Sequence, residues 1–288
     1  MTWGIALSGG GLLGAAHLGV WRALEEWGWE PQSWSGTSAG GLVAALWASG
    51  ADWKAVERFG QQVALSPRRY FELPWRQLLS ACLRHSPVTG IIRPEPFLTD
   101  LLKLAAVARM DQIPAPLAVT AVDVANLEAA AFVSRAAPNP PAGKSRWRQI
   151  VKAPLRLALH ATMATPGVFE AIGDGDSLYV DGGVADTLPA DWAWALGVDR
   201  VLAIDVTPAP RLPPAQIGLE KLLSRCEHYM TETLSSLREP APYPLLTLRI
   251  PTEQIGMLEF SAYEDLVALG YQVVHDHEAE LARFLSDR

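Results

Sequence analysis

The chain has 288 residues, 49% of them apolar and 19% charged, so a sizeable core is available and disorder is not expected. Its 24 Lys and Arg against 31 Asp and Glu give a net charge of −7 and a pI near 5.4, which argues against a protein whose whole surface binds nucleic acid. The two cysteines, Cys82 and Cys226, lack metal-ligand spacing and are too few for a disulfide scaffold, so structural thiols in a reducing compartment are expected.

Trp3 to Ser8 is a short apolar run that ends in Gly9-Gly10-Gly11 and reads as a buried strand entering a tight turn. From Leu12 to Trp27 the apolar positions fall at helical spacing, and Gly28 closes that helix. Ser33 to Gly36 is a second strand, leading through Gly36-Thr37-Ser38-Ala39-Gly40 into an apolar helix from Gly41 to Ser49. Asp52 caps a further helix with Ala55, Val56, Phe59 and Val63 on one face. Phe97 to Val107 is helical, and Leu117–Val124 and Leu127–Ser134 form a hairpin across Ala125-Asn126. Residues 136–144 are a proline-rich surface loop, and Lys152 to Met163 is helical. Gly173-Asp174-Gly175-Asp176 reads as a plain turn that no strand delivers, whereas Ser177 to Val180 is a strand ending at Asp181-Gly182-Gly183. A helix (Ala190–Leu196), a strand (Arg200–Val206) and a proline-rich connector (208–214) follow. Two long helical patterns, Ile217–Leu237 and Glu259–Leu285, then flank a strand at Leu245–Ile250. Strands alternating with helices imply an α/β fold with a mainly parallel sheet covered on both faces. With no repeat and no long polar linker, a single domain over residues 1–288 is expected, its motif-bearing core at about 3–206 and its C-terminal helices and strand at 217–286.

Charge is unevenly spread. Residues 129–169 hold no acid but six bases: Arg135, Lys144, Arg146, Arg148, Lys152 and Arg156. Residues 65–94 hold Arg68, Arg69, Arg76, Arg84 and Arg93 against Glu72 alone, interleaved with Tyr70, Phe71 and Trp75. Such stretches suit contact with an anionic membrane surface, or are solvated faces with buried aromatic anchors. The chain begins without a basic, signal-like segment, and no run reaches the ~18 apolar residues of a membrane-spanning helix. A cytoplasmic protein, free or peripheral on a membrane, is expected.

Gly36-Thr37-Ser38-Ala39-Gly40 matches G-x-S-x-G between a strand and a helix. A strained turn there pushes the serine hydroxyl out of the sheet, and glycines on either side leave it room. The following helix aims N–H groups at developing negative charge. Gly9-Gly10-Gly11-Leu12-Leu13-Gly14 satisfies G-x-G-x-x-G, so a dinucleotide loop, an oxyanion hole built on backbone N–H groups and a plain βα turn are all open readings. Glu30 stands at the distance a dinucleotide fingerprint wants, but it precedes the second strand instead of ending it. Asp181 ends a strand and is placed for a catalytic carboxylate or for capping a turn. Of six histidines, His275 or His277 would follow Ser38 and Asp181 in the order of an α/β-hydrolase triad. They lie two apart in a helical pattern, and only 37 residues precede the serine, so a Ser38–Asp181 dyad is the better reading. No metal or cofactor is implied.

These blocks, with Ala161-Thr162-Met163-Ala164-Thr165-Pro166 as an A-[ST]-x-x-x-P block between elbow and aspartate, resemble the patatin-like phospholipase family over residues 3–206. The resemblance implies an α/β/α sandwich and a serine acyl hydrolase acting on fatty acyl esters of phospholipids or related lipids. Ser38 would be the nucleophile, Asp181 its base, Gly9, Gly10 and Gly11 would surround the oxyanion, Gly36 and Gly40 would flank the elbow, and Gly182 and Gly183 would complete the D-G-G block. Where the family loop reads G-G-G-x-[RK]-G, the basic position here is Leu13. That departure leaves room for a general carboxylesterase or thioesterase, or for a weakly catalytic regulatory member of the fold.

Overall fold

The computed structural model describes residues 1–71, 88–141, 147–206, 213–218 and 240–286, with a few positions between 222 and 233. Arg76, Arg84, Lys144, Arg146, Trp75, Cys82, most of the 208–214 connector and most of the helical pattern over 217–237 lie outside the described residues. In chain order the strands are β1 (Trp3–Leu7), β2 (Ser33–Gly36), β3 (Leu117–Asp123), β4 (Glu128–Val133), β5 (Trp147–Ile150), β6 (Ile172–Asp174), β7 (Ser177–Asp181), β8 (Arg200–Asp205) and β9 (Leu245–Arg249). The helices are α1 (Ala16–Glu26), α2 (Ala39–Ala48), α3 (Trp53–Leu65), α4 (Pro67–Tyr70), α5 (Glu95–Ala105), α6 (Leu155–Met163), α7 (Ala190–Ala195), α8 (Tyr263–Asp276) and α9 (Glu278–Ser286).

One sheet runs β5-β4-β3-β2-β1-β8-β9. β3, β2, β1, β8 and β9 are mutually parallel, as the alternation of strands and helices requires. The hairpin partner β4 is antiparallel to β3, and β7 also joins β3 antiparallel. Side chains alternate between two cores with the period of two that strand geometry imposes. Ile5, Leu7, Leu202, Ile204, Leu117, Val119 and Phe132 face the layer that holds α1, α2, α6 and α8. Ala6, Val201 and Ala203, and Ala118, Ala131 and Val133, pack instead against residues of α7. The result is three layers, α/β/α, as expected.

Several expectations need correction. The first helix begins as a 3-10 turn over Gly11–Ala15 before α1. β5 has no counterpart in the sequence reading. A strand does deliver Gly173-Asp174-Gly175-Asp176: β6 and β7 form a hairpin whose turn holds Gly175 at φ 59°. The long C-terminal pattern is two helices, broken at His277, whose ring bonds the Val273 carbonyl at 2.8 Å. The basic stretches are also less open than their composition suggests. Arg148 donates to Asp123 at 2.6 Å and to the Tyr179 hydroxyl at 2.9 Å, and Arg93 makes a bidentate pair with Glu170.

Candidate active site

The topology itself brings the serine and the aspartate together. β4 occupies one edge of β3 along its whole length, so β2 and β7 share the other edge. β2 ends at Gly36, paired with Val119; β7 ends at Asp181, paired with Ala121. Thr120 fills the gap between them, and its hydroxyl meets that of Thr37 at 2.6 Å. Two strands arriving from opposite directions therefore end at one point, one carrying Ser38 and the other Asp181.

Ser38 has φ 52° and ψ −124°, a conformation that side-chain-bearing residues rarely adopt, and it sits at the N-terminus of α2. The strain is held in place from several directions. Its N–H donates to Thr162 Oγ1 at 2.8 Å, and its carbonyl accepts from Leu42 at 3.0 Å. Thr37 donates to the Asp186 carbonyl at 2.7 Å, as Ser35 does to Pro189 and Ser33 to Ala193. Three hydroxyls on one face of the elbow strand thus tie it to the segment that follows Asp181. A Cβ on Gly36 would collide with the Gly40 carbonyl, and one on Gly40 with the Leu7 and Ser8 carbonyls, so both elbow glycines are required by space.

Asp181 is 5% exposed. Burial pushes its carboxyl up from 3.8 to about 6, against hydrogen bonds from the Gly183 N–H, the Ser38 hydroxyl and the Thr165 hydroxyl, which favour the ionised form. The Gly183 bond measures 2.8 Å and the Thr165 bond 3.0 Å. A Cβ on Gly182 would strike Thr120, so the chain can turn away after Asp181 only with glycine there. Thr162 and Thr165 were given no role by sequence reasoning; the signal was present, since both belong to the Ala161–Pro166 block.

The glycine loop follows β1. A Cβ on Gly9 would lie 3.4 Å from that of Ser38, so the loop passes directly beside the elbow. Gly10 has φ 144° and Gly11 φ 59°. Of the three glycines expected around the oxyanion, Gly9 contributes close approach but no donor, because its N–H already bonds the Thr187 carbonyl at 3.0 Å. Among the described residues no acceptor meets the N–H groups of Gly10 and Gly11. Leu13 is 4% exposed and packed in the main core, and its N–H donates to the Gly10 carbonyl at 3.2 Å. Replacing the family's base has therefore not opened the loop.

The described histidines have partners away from the Ser38 and Asp181 side chains. His275 lies between Trp27, which it meets edge-on, and Tyr271, His277 bonds the Val273 carbonyl, and His160 bonds the Glu170 carbonyl at 2.9 Å. His17 lies buried against the Ser8 carbonyl, and His85 and His228 fall outside the described residues. No cluster of three or more metal-ligating side chains occurs among the described residues. Nor, among them, is any helix long and apolar enough to cross a membrane.

A strained serine at a strand–helix junction, with a buried aspartate and a glycine loop beside it, defines an α/β protein with a G-x-S-x-G turn at the end of β2. The family model for patatin-like phospholipases matches residues 5–194, from β1 into α7, and the chain belongs to that family. An uncharacterized NTE family protein of Mycobacterium bovis is 28% identical over 202 residues, 70% of this chain and 48% of the relative. Lysophospholipase nte1 of Aspergillus fumigatus is 24% identical over 291 residues, 93% of this chain and 18% of the relative. The chain thus spans about half the length of the first and less than a fifth of the second. Among solved structures, human GIVD cytosolic phospholipase A2 in complex with methyl gamma-linolenyl fluorophosphonate aligns with 99% of this chain and 59% of its own, at 13% identity and a TM-score of 0.49. VipD from Legionella pneumophila aligns with 96% of this chain and 67% of its own, at 14% identity and a TM-score of 0.46.

Proposed function

We propose that the protein is a serine acyl hydrolase that cleaves fatty acyl esters of phospholipids or related lipids through a Ser38–Asp181 dyad. The observation that carries this reading is the strained Ser38 of the elbow set beside the buried Asp181, its hydroxyl among the groups that favour the ionised carboxylate, in a chain of the patatin-like phospholipase family. Asp181 takes the proton as Ser38 Oγ attacks the ester carbonyl. The tetrahedral oxyanion is held by the N–H groups of Gly10 and Gly11 and by the N-terminal end of α2. Collapse expels the alcohol, protonated by Asp181, and leaves an acyl-serine; water activated by Asp181 then releases the fatty acid. Burial makes Asp181 a stronger base than a surface carboxylate, and with its pKa raised to about 6 it can still be ionised at neutral pH.

A lipid surface as the source of substrate is supported by Arg68, Arg69 and Leu65, exposed together around α4, and by the exposed Val88 and Ile91. The Ile91 N–H donates to the Val168 carbonyl next to Phe169, and Phe169 meets Phe71 edge to face, so these residues share one side of the molecule. The test is hydrolysis of lysophospholipid and phospholipid by the full chain. Ser38→Ala and Asp181→Asn are each expected to lower kcat by at least about 1,000-fold while the chain stays folded. Full activity in Asp181→Asn would overturn the dyad.

A further inference from the structure

The Gly10 and Gly11 N–H groups serve as donors only if their peptide planes point them at the substrate. In a planar trans peptide the N–H of one residue and the C=O of the residue before it point in opposite directions, so pinning the carbonyl aims the N–H. Each carbonyl along the loop is pinned. The Gly10 carbonyl accepts from Leu13, which sets the Gly11 N–H. The Gly9 carbonyl accepts from Ser8 Oγ at 3.0 Å, which sets the Gly10 N–H. Ser8 Oγ is itself oriented, because it accepts from the Val206 N–H at 2.9 Å. The Ser8 carbonyl meets Nε2 of His17 at 2.9 Å, which fixes the plane from which the loop departs.

His17 stands in the first turn of α1 and is wholly buried. A carbonyl oxygen only accepts, so the ring donates from Nε2 and, when neutral, carries a bare lone pair at Nδ1. That nitrogen is buried without a hydrogen-bond partner. Burial also lowers the ring's pKa to about 4, against the Ser8 bond and the charge of Asp205. An unpartnered buried nitrogen costs stability, and an aliphatic side chain would fill the same space without that cost. What it would not do is hold the Ser8 carbonyl.

We propose that Ser8 and His17 are positioning residues for the glycine loop: Ser8, through its hydroxyl, aims the Gly10 N–H at the acyl oxygen, and His17, as its Nε2–H tautomer, anchors the Ser8–Gly9 peptide from which that aim is set. The proposal rests on the reading of Ser38 as an acyl-transfer nucleophile. Neither side chain touches the substrate; both act through backbone carbonyls. Losing either leaves the donors present but misdirected, so the loss falls on the transition state and not on ground-state binding.

Two measurements on the full chain test it. In long-range ¹H–¹⁵N spectra of histidine-labelled protein at neutral pH, the signal that disappears in His17→Gln is expected to show the Nε2–H tautomer. An Nδ1–H tautomer or a charged ring would overturn the proposal. With p-nitrophenyl butyrate, His17→Leu and Ser8→Ala are expected to lower kcat about 10- to 100-fold with KM changed less than about twofold, short of the loss from deleting an oxyanion donor outright. His17→Gln, whose side-chain amide donates from the place of Nε2, is expected to regain most of the rate. Wild-type rates in His17→Leu and Ser8→Ala, or equal losses in the Leu and Gln variants, would overturn it. Should His17→Leu fail to fold, the tautomer and the Ser8→Ala rate decide. Failure of the acyl-transfer reading is distinguishable, because wild-type hydrolysis would then survive Ser38→Ala.

Discussion

Ser38 and Asp181 each hold a state that costs stability: one a rare backbone conformation, the other a carboxylate taken out of water. The second cost is measurable by its pH dependence. Asp181 has a folded pKa of about 6 against 3.8 for the free side chain, so its favourable contribution is fully present below 3.8 and is lost as pH rises through about 6. Asp181→Asn is therefore expected to raise the melting temperature at pH 7.5, by an amount worth up to about 3 kcal/mol, and to change it little at pH 4. Equal effects at both pH values would contradict the assignment. Activity should run the other way. A base must be ionised, so kcat/KM is expected to rise with pH through an apparent pKa near 6 and to level off above it. His17 acts on stability in the opposite direction from Asp181: its depressed pKa contributes stability above 6.5 that is lost as pH falls towards about 4.

At the scale of elements, the site follows from where strands stop. β2 and β7 share one edge of β3 and end two residues apart along it, so neither Ser38 nor Asp181 needs a long loop to reach the other. The C-terminal part of the chain, beyond the family match, supplies β8 beside β1 and α8 beneath α1. α1 and α8 approach through two glycines: a Cβ on Gly19 would collide with the Val267 carbonyl and one on Gly270 with the Ala16 carbonyl. Gly19→Leu and Gly270→Leu are each expected to destabilise the protein by more than about 3 kcal/mol in denaturant unfolding, since backbone must move on both sides. A loss below about 1 kcal/mol would mean that the helices do not meet there. This contact was not legible in the sequence, because single glycines inside helical patterns carry no sign of the partner they admit. The elbow, the glycine loop and the strand ending at Asp181 were legible, because each depends on local spacing. β6 was missed because three residues are too short for periodicity to register, and β5 because Trp147-Arg148-Gln149-Ile150 neither alternates nor runs apolar and is only half-buried. The antiparallel entry of β7 depends on pairing with residues more than fifty positions away.

The molecule as a whole carries net charge −7, and much of its basic sequence serves internal pairing, as in Arg148 with Asp123 and Arg93 with Glu170. Arg68 and Arg69 remain exposed beside Leu65, which is 84% exposed. Replacing both arginines with glutamate is expected to weaken co-sedimentation with anionic vesicles at least about tenfold at low salt, and less at high salt, while leaving hydrolysis of a soluble ester unchanged. Unaltered vesicle binding would place any membrane contact elsewhere on the molecule. Whether Ser38 is an activated nucleophile is read out by labelling the full chain with a long-chain fluorophosphonate, followed by peptide mapping. One adduct is expected, on Ser38, formed far more slowly in Asp181→Asn; a folded protein that takes no label, or takes it on another residue, would mean that Ser38 is not the nucleophile.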